Sequence, residues 1–157
     1  DNFNVAFKSY ENDRPLYGKM DPRRFQQVMT NLLTNAAKFA YPNTEIKIHT
    51  EEHGEFLKVC VTNQGEGVPL SFRDHIFSPF SQAKEADTRS RGGTGLGLVI
   101  SKQIVELSGG QIGFDSVVGD KTTFWFTVLK IADPIGIPLK TSGPIAKPMP
   151  GRTRFTF

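Results

Sequence analysis

Cysteine and long apolar runs are scarce in this sequence, and each scarcity excludes a class of protein. The single cysteine, Cys60, has no second thiol for an internal disulfide or a metal site, so we expect a buried strand residue. No apolar stretch approaches the ~20 residues that a membrane helix needs, and no charged-then-apolar leader indicates secretion. We therefore expect a cytoplasmic domain without membrane contact of its own, which leaves room for a membrane anchor elsewhere in a longer protein.

An excess of charge of one sign is also missing. The 19 basic and 16 acidic side chains leave a formal charge of +3, and the basic residues are scattered, which argues against a nucleic-acid partner. The 157 residues suit one globular domain. Five of the ten prolines fall between Pro134 and Pro150, without helical or strand periodicity. We therefore predict a domain over residues 1–131 and a Pro-rich linker or tail over 132–157, either flexible or packed on the domain.

Hydrophobic periodicity and turn signals predict the order of the elements. Two short strands over 3–10 and 15–20 precede a helix that Asp21 caps, Pro22 begins and Pro42 ends. Alternating segments predict hairpins over 45–63, with a turn at 51–55, and over 111–131. Between them, a second helix follows a glycine run and reaches about Leu107. This order predicts an α+β fold of two layers, with an antiparallel or mixed sheet covered on one face by helices.

Three polar side chains share one direction on the first predicted helix. At about 100° per residue, Asn31, Asn35 and Lys38 lie together beside an apolar face that includes Phe39. Carboxamide oxygens can ligate a hard cation such as magnesium, and an ammonium can meet phosphate charge. A plain solvated helix face is the alternative interpretation.

Residues 92–98 read GGTGLGL and lead directly into the second predicted helix. Backbone amides at a helix N-terminus attract anions, and glycines let phosphate approach closely. The run matches neither a Rossmann fingerprint nor a P-loop. A second glycine-bearing segment, NQGEGVP at 63–69, ends a predicted strand and could bring backbone close to a flat ligand or simply form a surface turn.

Four segments in this order resemble the boxes of sensor histidine kinases: NLLTNAAKF (31–39), NQGEGVP (63–69), IFSPFSQ (76–82) and GGTGLGLVIS (92–101). They correspond to the asparagine, first glycine, phenylalanine and second glycine boxes of the catalytic ATP-binding domain that these kinases share with gyrase, heat-shock chaperone and mismatch-repair ATPases. The resemblance covers about residues 1–131 and implies a Bergerat-type sandwich with a mostly antiparallel mixed sheet. The segment IFSPFSQ followed by GGTGLGL is most similar to the corresponding segments of hybrid kinases.

The resemblance implies a role for each matching position. Asn31 and Asn35 would hold magnesium, Lys38 would contact phosphate, and Phe39 would stack near adenine. Phe77 and Phe80 would anchor a lid over residues 81–93. The remaining cofactor positions are, for the adenine pocket, Asn63, Gly65, Gly67, Val68 and Thr122 (with Thr123 as an alternative to Thr122), and for the triphosphate, Gly93, Thr94, Gly95, Leu96 and Gly97.

The implied activity is transfer of the γ-phosphate of Mg-ATP to a protein histidine. Hydrolytic relatives carry a glutamate where this chain has Asn31, and an amide is no general base. The implied partners are upstream dimerisation helices that carry the histidine, and a response-regulator receiver domain. His49, His53 and His75 do not resemble that acceptor site, so we expect no phosphorylation of this chain alone.

One position departs from the family pattern. Asn63 stands where the family has the aspartate that reads the exocyclic amine of adenine, and an amide offers one acceptor oxygen instead of two. The alternative hypothesis is therefore a degenerate kinase domain that signals through contacts or nucleotide occupancy. A hydrolytic ATPase is a third possibility, which Asn31 disfavours.

Overall fold

One seven-stranded sheet organises the chain. The computed structural model describes residues 5–9, 16–79, 95–131 and 153–155, and the side chains of all but the first and last of these ranges. Its elements are β1 Val5–Ser9, β2 Leu16–Gly18, α1 Pro22–Phe39, β3 Thr44–His53, β4 Phe56–Gln64, a 3-10 helix Leu70–His75, α2 Gly97–Leu107, β5 Ile112–Val117, β6 Lys121–Ile131 and β7 Thr153–Phe155.

The strand order is β1-β3-β4-β6-β2-β7, and β5 also pairs with β6. Only the β1–β3 pair among these is parallel. The long β6 pairs with β4 along one edge and with β5 and then β2 along the other. The mixed, mostly antiparallel sheet and the α+β class confirm the prediction, and both hairpins lie where their turn signals placed them.

Helix α1 begins at the capping residue and proline that its sequence predicts. The Asp21 carboxylate accepts hydrogen bonds from the backbone N–H groups of Arg23 and Arg24, and Pro22 occupies the first helical position. The apolar stripe is buried: Val28, Met29, Leu32, Ala36 and Ala37. Phe39, expected on that stripe, is instead 47% exposed, because the chain leaves the helix at Ala40 in an extended conformation.

The helices cover one face of the sheet. The ring of Phe25 on α1 lies 5.9 Å from that of Phe126, so the even-numbered residues of β6 face the helices. Phe126 and Val128 of β6, and Leu57 and Val59 of β4, are fully buried there. The alternate residues, among them Cys60 and Trp125, belong to the opposite face, which we call the outer face.

The hairpin β3–β4 is longer than its sequence predicts. The strand continues to His53, so residues 51–53, expected in the turn, pair with β4 and leave a tight turn at Gly54, whose φ is +58°. Within the described residues no helix is both long and apolar enough to cross a membrane. Most of the predicted tail at 132–157 lies outside the described ranges, and β7, within that tail, pairs with β2. The division of the chain at residue 131 stays a prediction.

Candidate functional site

The polar edge of α1 meets the beginning of α2. The Asn31 amide nitrogen donates to the Gly97 carbonyl at 3.2 Å and to the Ser101 hydroxyl at 3.1 Å. A carbonyl only accepts, so the nitrogen is the atom that faces α2. Ser101 is fully buried. The Asn31 side chain thus joins the asparagine box to the backbone of the second glycine box at Gly97, 66 residues later in the sequence.

Asn35 and Lys38 continue the same edge of α1. They follow Asn31 by one and two helical turns, and all three are half-buried, between the buried stripe and the exposed face. The predicted grouping of two amides and one ammonium on one edge of α1 therefore exists in the structure.

The N-terminus of α2 has the properties of an anion site. Gly95 has φ +71°, and Leu96 then occupies the N-cap position without a side-chain cap hydrogen bond. No acidic residue lies in the first turn of this helix. Unpaired amides here carry partial positive charge. Within the described chain, the protein therefore supplies this helix end with no anionic partner of its own.

Gly97 is not required by the fold. A Cβ at Gly97 would meet only the Asn31 side chain, at 3.7 Å or more, which is ordinary contact. Its φ is not in the left-handed region, and glycine costs about 1 kcal/mol in a helix relative to alanine. Within the described residues, packing therefore does not require the bare backbone at the start of α2.

Gly65 and Gly67, in contrast, are required by the packing of the fold. A Cβ at Gly65 would lie 2.3 Å from the Phe39 carbonyl oxygen, and Gly67 has φ +80° with Val117 O at 2.8 Å from such a Cβ. Gly65 also forms a bridge with Ala40. Both glycines allow the 63–69 segment to pack against the end of α1 and the end of β5, and so they shape the pocket through backbone contact.

A buried polar pair lies where β4 ends and β6 begins. Asn63 and Thr122 are direct cross-strand partners, 3% and 5% exposed, on the otherwise apolar face toward the helices. The Ser116 hydroxyl lies 2.8 Å from the Thr122 hydroxyl and accepts a hydrogen bond from the Val68 N–H, also at 2.8 Å. Thr123, the alternative to Thr122, is on the outer face and bonds to Thr62.

The predicted lid anchor is partly described. The Phe77 ring packs on Phe114 at a centroid distance of 6.2 Å, and the Lys102 ammonium lies 5.8 Å from its centroid. Val68 is buried, as an apolar wall requires. Phe80, Gly93, Thr94 and the whole predicted lid at 81–93 lie outside the described residues, so their predicted roles stay predictions.

Sequence reasoning missed three polar residues of this region. Ser101 receives the Asn31 amide, Ser116 links Thr122 to Val68, and the Arg73 guanidinium donates to the Ser116 carbonyl at 2.8 Å. A serine in a strand or in the second turn of a helix carries no local signal. Only the β5–β6 register and the contact of α1 with α2 give these three residues their positions.

Comparisons with known proteins agree with this geometry. Residues 20–132 match the family described as "Histidine kinase-, DNA gyrase B-, and HSP90-like ATPase". The chain is 42% identical over 120 residues to the sensor histidine kinase GacS of Pseudomonas protegens, covering 74% of this chain and 13% of that protein. It is 45% identical over 108 residues to the sensor histidine kinase AruS of Pseudomonas aeruginosa, covering 66% of this chain and 11% of that protein.

A solved structure shows the same fold. The catalytic domain of histidine kinase ThkA superposes with a TM-score of 0.65 at 32% identity, over 82% of each chain. This chain therefore spans roughly an eighth of the length of the curated relatives described above and most of the solved domain. The chain belongs to the family of histidine kinase-, DNA gyrase B- and HSP90-like ATPases, and its relatives in these comparisons are sensor histidine kinases.

Proposed function

We propose that this chain binds Mg-ATP and serves as the catalytic domain of a two-component sensor histidine kinase. The γ-phosphate would pass to a histidine on dimerisation helices outside this chain, and a receiver domain, in a hybrid protein or a separate one, would accept it next. We propose a cytoplasmic location for the domain.

The observation that carries this proposal is the Asn31 contact with the start of α2. It places the amide edge of one helix beside the uncapped N-terminus of another, where Gly97 leaves the backbone bare. A triphosphate is an anion of the size that suits such a terminus. At the other end, the buried Asn63 and Thr122 offer the polar partners that a purine edge needs within an apolar pocket.

Magnesium fits the donor set on α1. Because the Asn31 nitrogen donates to α2, its oxygen is the atom that remains for a cation, and the Asn35 amide follows one turn later. A bound magnesium ion would neutralise phosphate charge and orient the γ-phosphate. Lys38, at the end of the same edge, would add a positive charge near the phosphates.

Transfer to a protein is favoured over hydrolysis. The Asn31 nitrogen carries no lone pair that can take a proton, and it is already engaged as a donor to Gly97 and Ser101. The residue thus holds α1 against α2 and does not activate water.

Two measurements test the proposal. Calorimetry with a non-hydrolysable ATP analogue and magnesium should show one site per chain, and Asn35→Ala should weaken binding about tenfold or more, because a charge-assisted contact is worth about 1.5–3 kcal/mol. Thr34→Ala, which changes the exposed neighbouring residue, is the matched control and should bind as the unmodified chain does.

The second measurement concerns the reaction. With radiolabelled ATP the chain alone should remain unlabelled, and addition of dimerisation helices from its own longer protein should produce phosphohistidine on those helices. Equal affinity of Asn35→Ala and the unmodified chain would overturn the proposed site. Steady phosphate release without an acceptor would indicate a hydrolase instead of a kinase.

A further inference from the structure

The outer face of the sheet carries a cluster of metal-binding side chains. His49, Glu51 and His53 alternate along β3, so all three project from the same face of the strand. Cys60 of β4 is the direct cross-strand partner of His49. Two imidazoles, a carboxylate and a thiol thus meet on two neighbouring strands, on the face that the helices do not cover.

The donor atoms already lie close together. Glu51 accepts from both imidazoles, with Oε1 at 2.9 Å from His49 Nε2 and Oε2 at 3.0 Å from His53 Nε2. Donor atoms of His49, Glu51 and Cys60 all lie within 4.8 Å of one another. A tetrahedral zinc ion with bonds of about 2.0–2.3 Å separates its ligands by roughly 3.3–3.8 Å. Side-chain adjustments of about an ångström would therefore complete a three-donor shell.

The surroundings suit a divalent cation. Cys60 is 3% exposed, and its sulfur lies within 4.8 Å of a Glu51 carboxylate oxygen. The facing cation, Lys58, lies over the Trp125 ring at 4.7 Å from its centroid. A thiolate and a carboxylate together would balance the two charges of the metal, and the metal would displace the thiol proton on binding.

We propose that His49, Glu51 and Cys60 bind zinc or a chemically similar cation on the outer face of the sheet. Imidazole, carboxylate and thiolate are donors that zinc prefers, and the imidazole–thiolate combination excludes magnesium and calcium as the natural occupants. The site shares no residue with the nucleotide cleft and does not depend on the proposed kinase function.

Cobalt titration of the full 157-residue chain tests this site. Under reducing conditions and without chelator, Co²⁺ should bind at one per chain and produce both intense visible bands of a tetrahedral ion and a near-ultraviolet thiolate-to-cobalt band. Addition of Zn²⁺ should displace the cobalt and abolish both. Native mass spectrometry should then show one zinc per chain.

Single substitutions identify the side chains that bind the metal. Cys60→Ser should lose the thiolate band, and His49→Gln, at a half-exposed position that tolerates change, should weaken cobalt binding at least tenfold. His75→Gln, an exposed histidine outside the cluster, is the matched control and should bind normally. Cobalt bound without a thiolate band, a thiolate band that survives in Cys60→Ser, or binding that His49→Gln leaves unchanged would each overturn the proposal.

Discussion

At the scale of single residues, glycines that look alike in the sequence have different reasons to be glycine. Gly65 and Gly67 fit against neighbouring backbone that a Cβ would strike, whereas Gly97 has room for one. A steric requirement of the fold therefore explains the first two, whereas the described residues impose no such requirement at Gly97. This distinction separates the stability of the domain from its binding function.

Gly97→Ala should accordingly separate stability from binding. We expect the free energy of unfolding in urea to stay the same or rise by up to about 1 kcal/mol, because alanine is the better helix former. Affinity for the Mg-ATP analogue should fall at least about tenfold, because the methyl group occupies the space where phosphate approaches α2. Calorimetry and urea unfolding of the same protein measure both.

Gly54→Ala is the matched comparison for Gly97→Ala. Gly54 has φ +58° in the β3–β4 turn and an open environment, so alanine should cost about 1–2 kcal/mol of stability and leave nucleotide affinity unchanged. If Gly97→Ala bound the nucleotide as tightly as the unmodified chain, the bare start of α2 would have no role in phosphate binding.

Asn63 is predicted to affect ATP affinity at the adenine end of the pocket. Asn63→Asp should raise affinity for ATP about tenfold, because a carboxylate offers a second acceptor to the exocyclic amine and a charged acceptor is worth about 1.5–3 kcal/mol. Calorimetry against ATP and GTP, which lacks that amine, measures the change. Equal gains for both nucleotides, or no gain for ATP, would contradict the idea that Asn63 reads adenine.

At the scale of elements, hydrogen bonds from isolated side chains hold the pocket walls together. Ser116 ties β5 to both the start of β6 and the loop that follows β4, through Thr122 and the Val68 N–H. Asn31 ties α1 to α2. The bonds of Ser116 to the Val68 N–H and of Asn31 to α2 join elements that the sheet itself leaves unconnected.

Ser116→Ala should loosen the adenine end of the site. The Val68 N–H would lose its acceptor, and an unsatisfied buried donor costs about 1–3 kcal/mol, so unfolding free energy should fall by about that amount. Nucleotide affinity should fall with it, because the Thr122 hydroxyl loses its partner.

The control for Ser116→Ala is Ser108→Ala. The Ser108 hydroxyl bonds only locally, to the Ile104 carbonyl of the same helix at 2.9 Å, and its loss should leave nucleotide affinity unchanged. Equal calorimetric affinities in Ser116→Ala and the unmodified chain would show that the serine is structural only.

At the scale of the whole molecule, β6 is the element that unites the fold. It pairs with β2, β4 and β5, and its inward residues pack against α1. One continuous core results, so the domain should unfold as a unit.

Phe126→Ala should reveal this cooperativity. Phe126 is fully buried at the centre of the sheet, and its truncation should cost about 3–5 kcal/mol, a large share of the ~5–15 kcal/mol of a typical domain. Urea unfolding followed by far-ultraviolet circular dichroism and by Trp125 fluorescence should give one coincident transition. Leu107→Ala, at a 90% exposed position, is the control and should change stability by less than about 0.5 kcal/mol. Two separated transitions would contradict a single core.

Much of the fold and several features of the site could be predicted from the sequence because their signals are local. The Asp21-Pro22 start of α1, the end of α2 at Leu107 and the alternating hairpin strands depend on signals within a few residues, and they lie where they were predicted apart from the longer β3. The spacing of Asn31, Asn35 and Lys38 follows directly from helical geometry. The roles proposed for these residues toward ATP rest on that spacing together with the family resemblance.

Only the tertiary structure decided which distant residues meet. Strand register places Asn63 and Ser116 beside Thr122, and Cys60 opposite His49, and a shift of one residue would send each to the other face. The packing of α1 against α2 likewise places Ser101 and Gly97 within hydrogen-bond distance of Asn31. The sequence by itself determined the elements, since propensity, capping and periodicity are properties of neighbours along the chain. The pocket and the outer-face cluster depend on contacts between segments far apart, which no local pattern encodes.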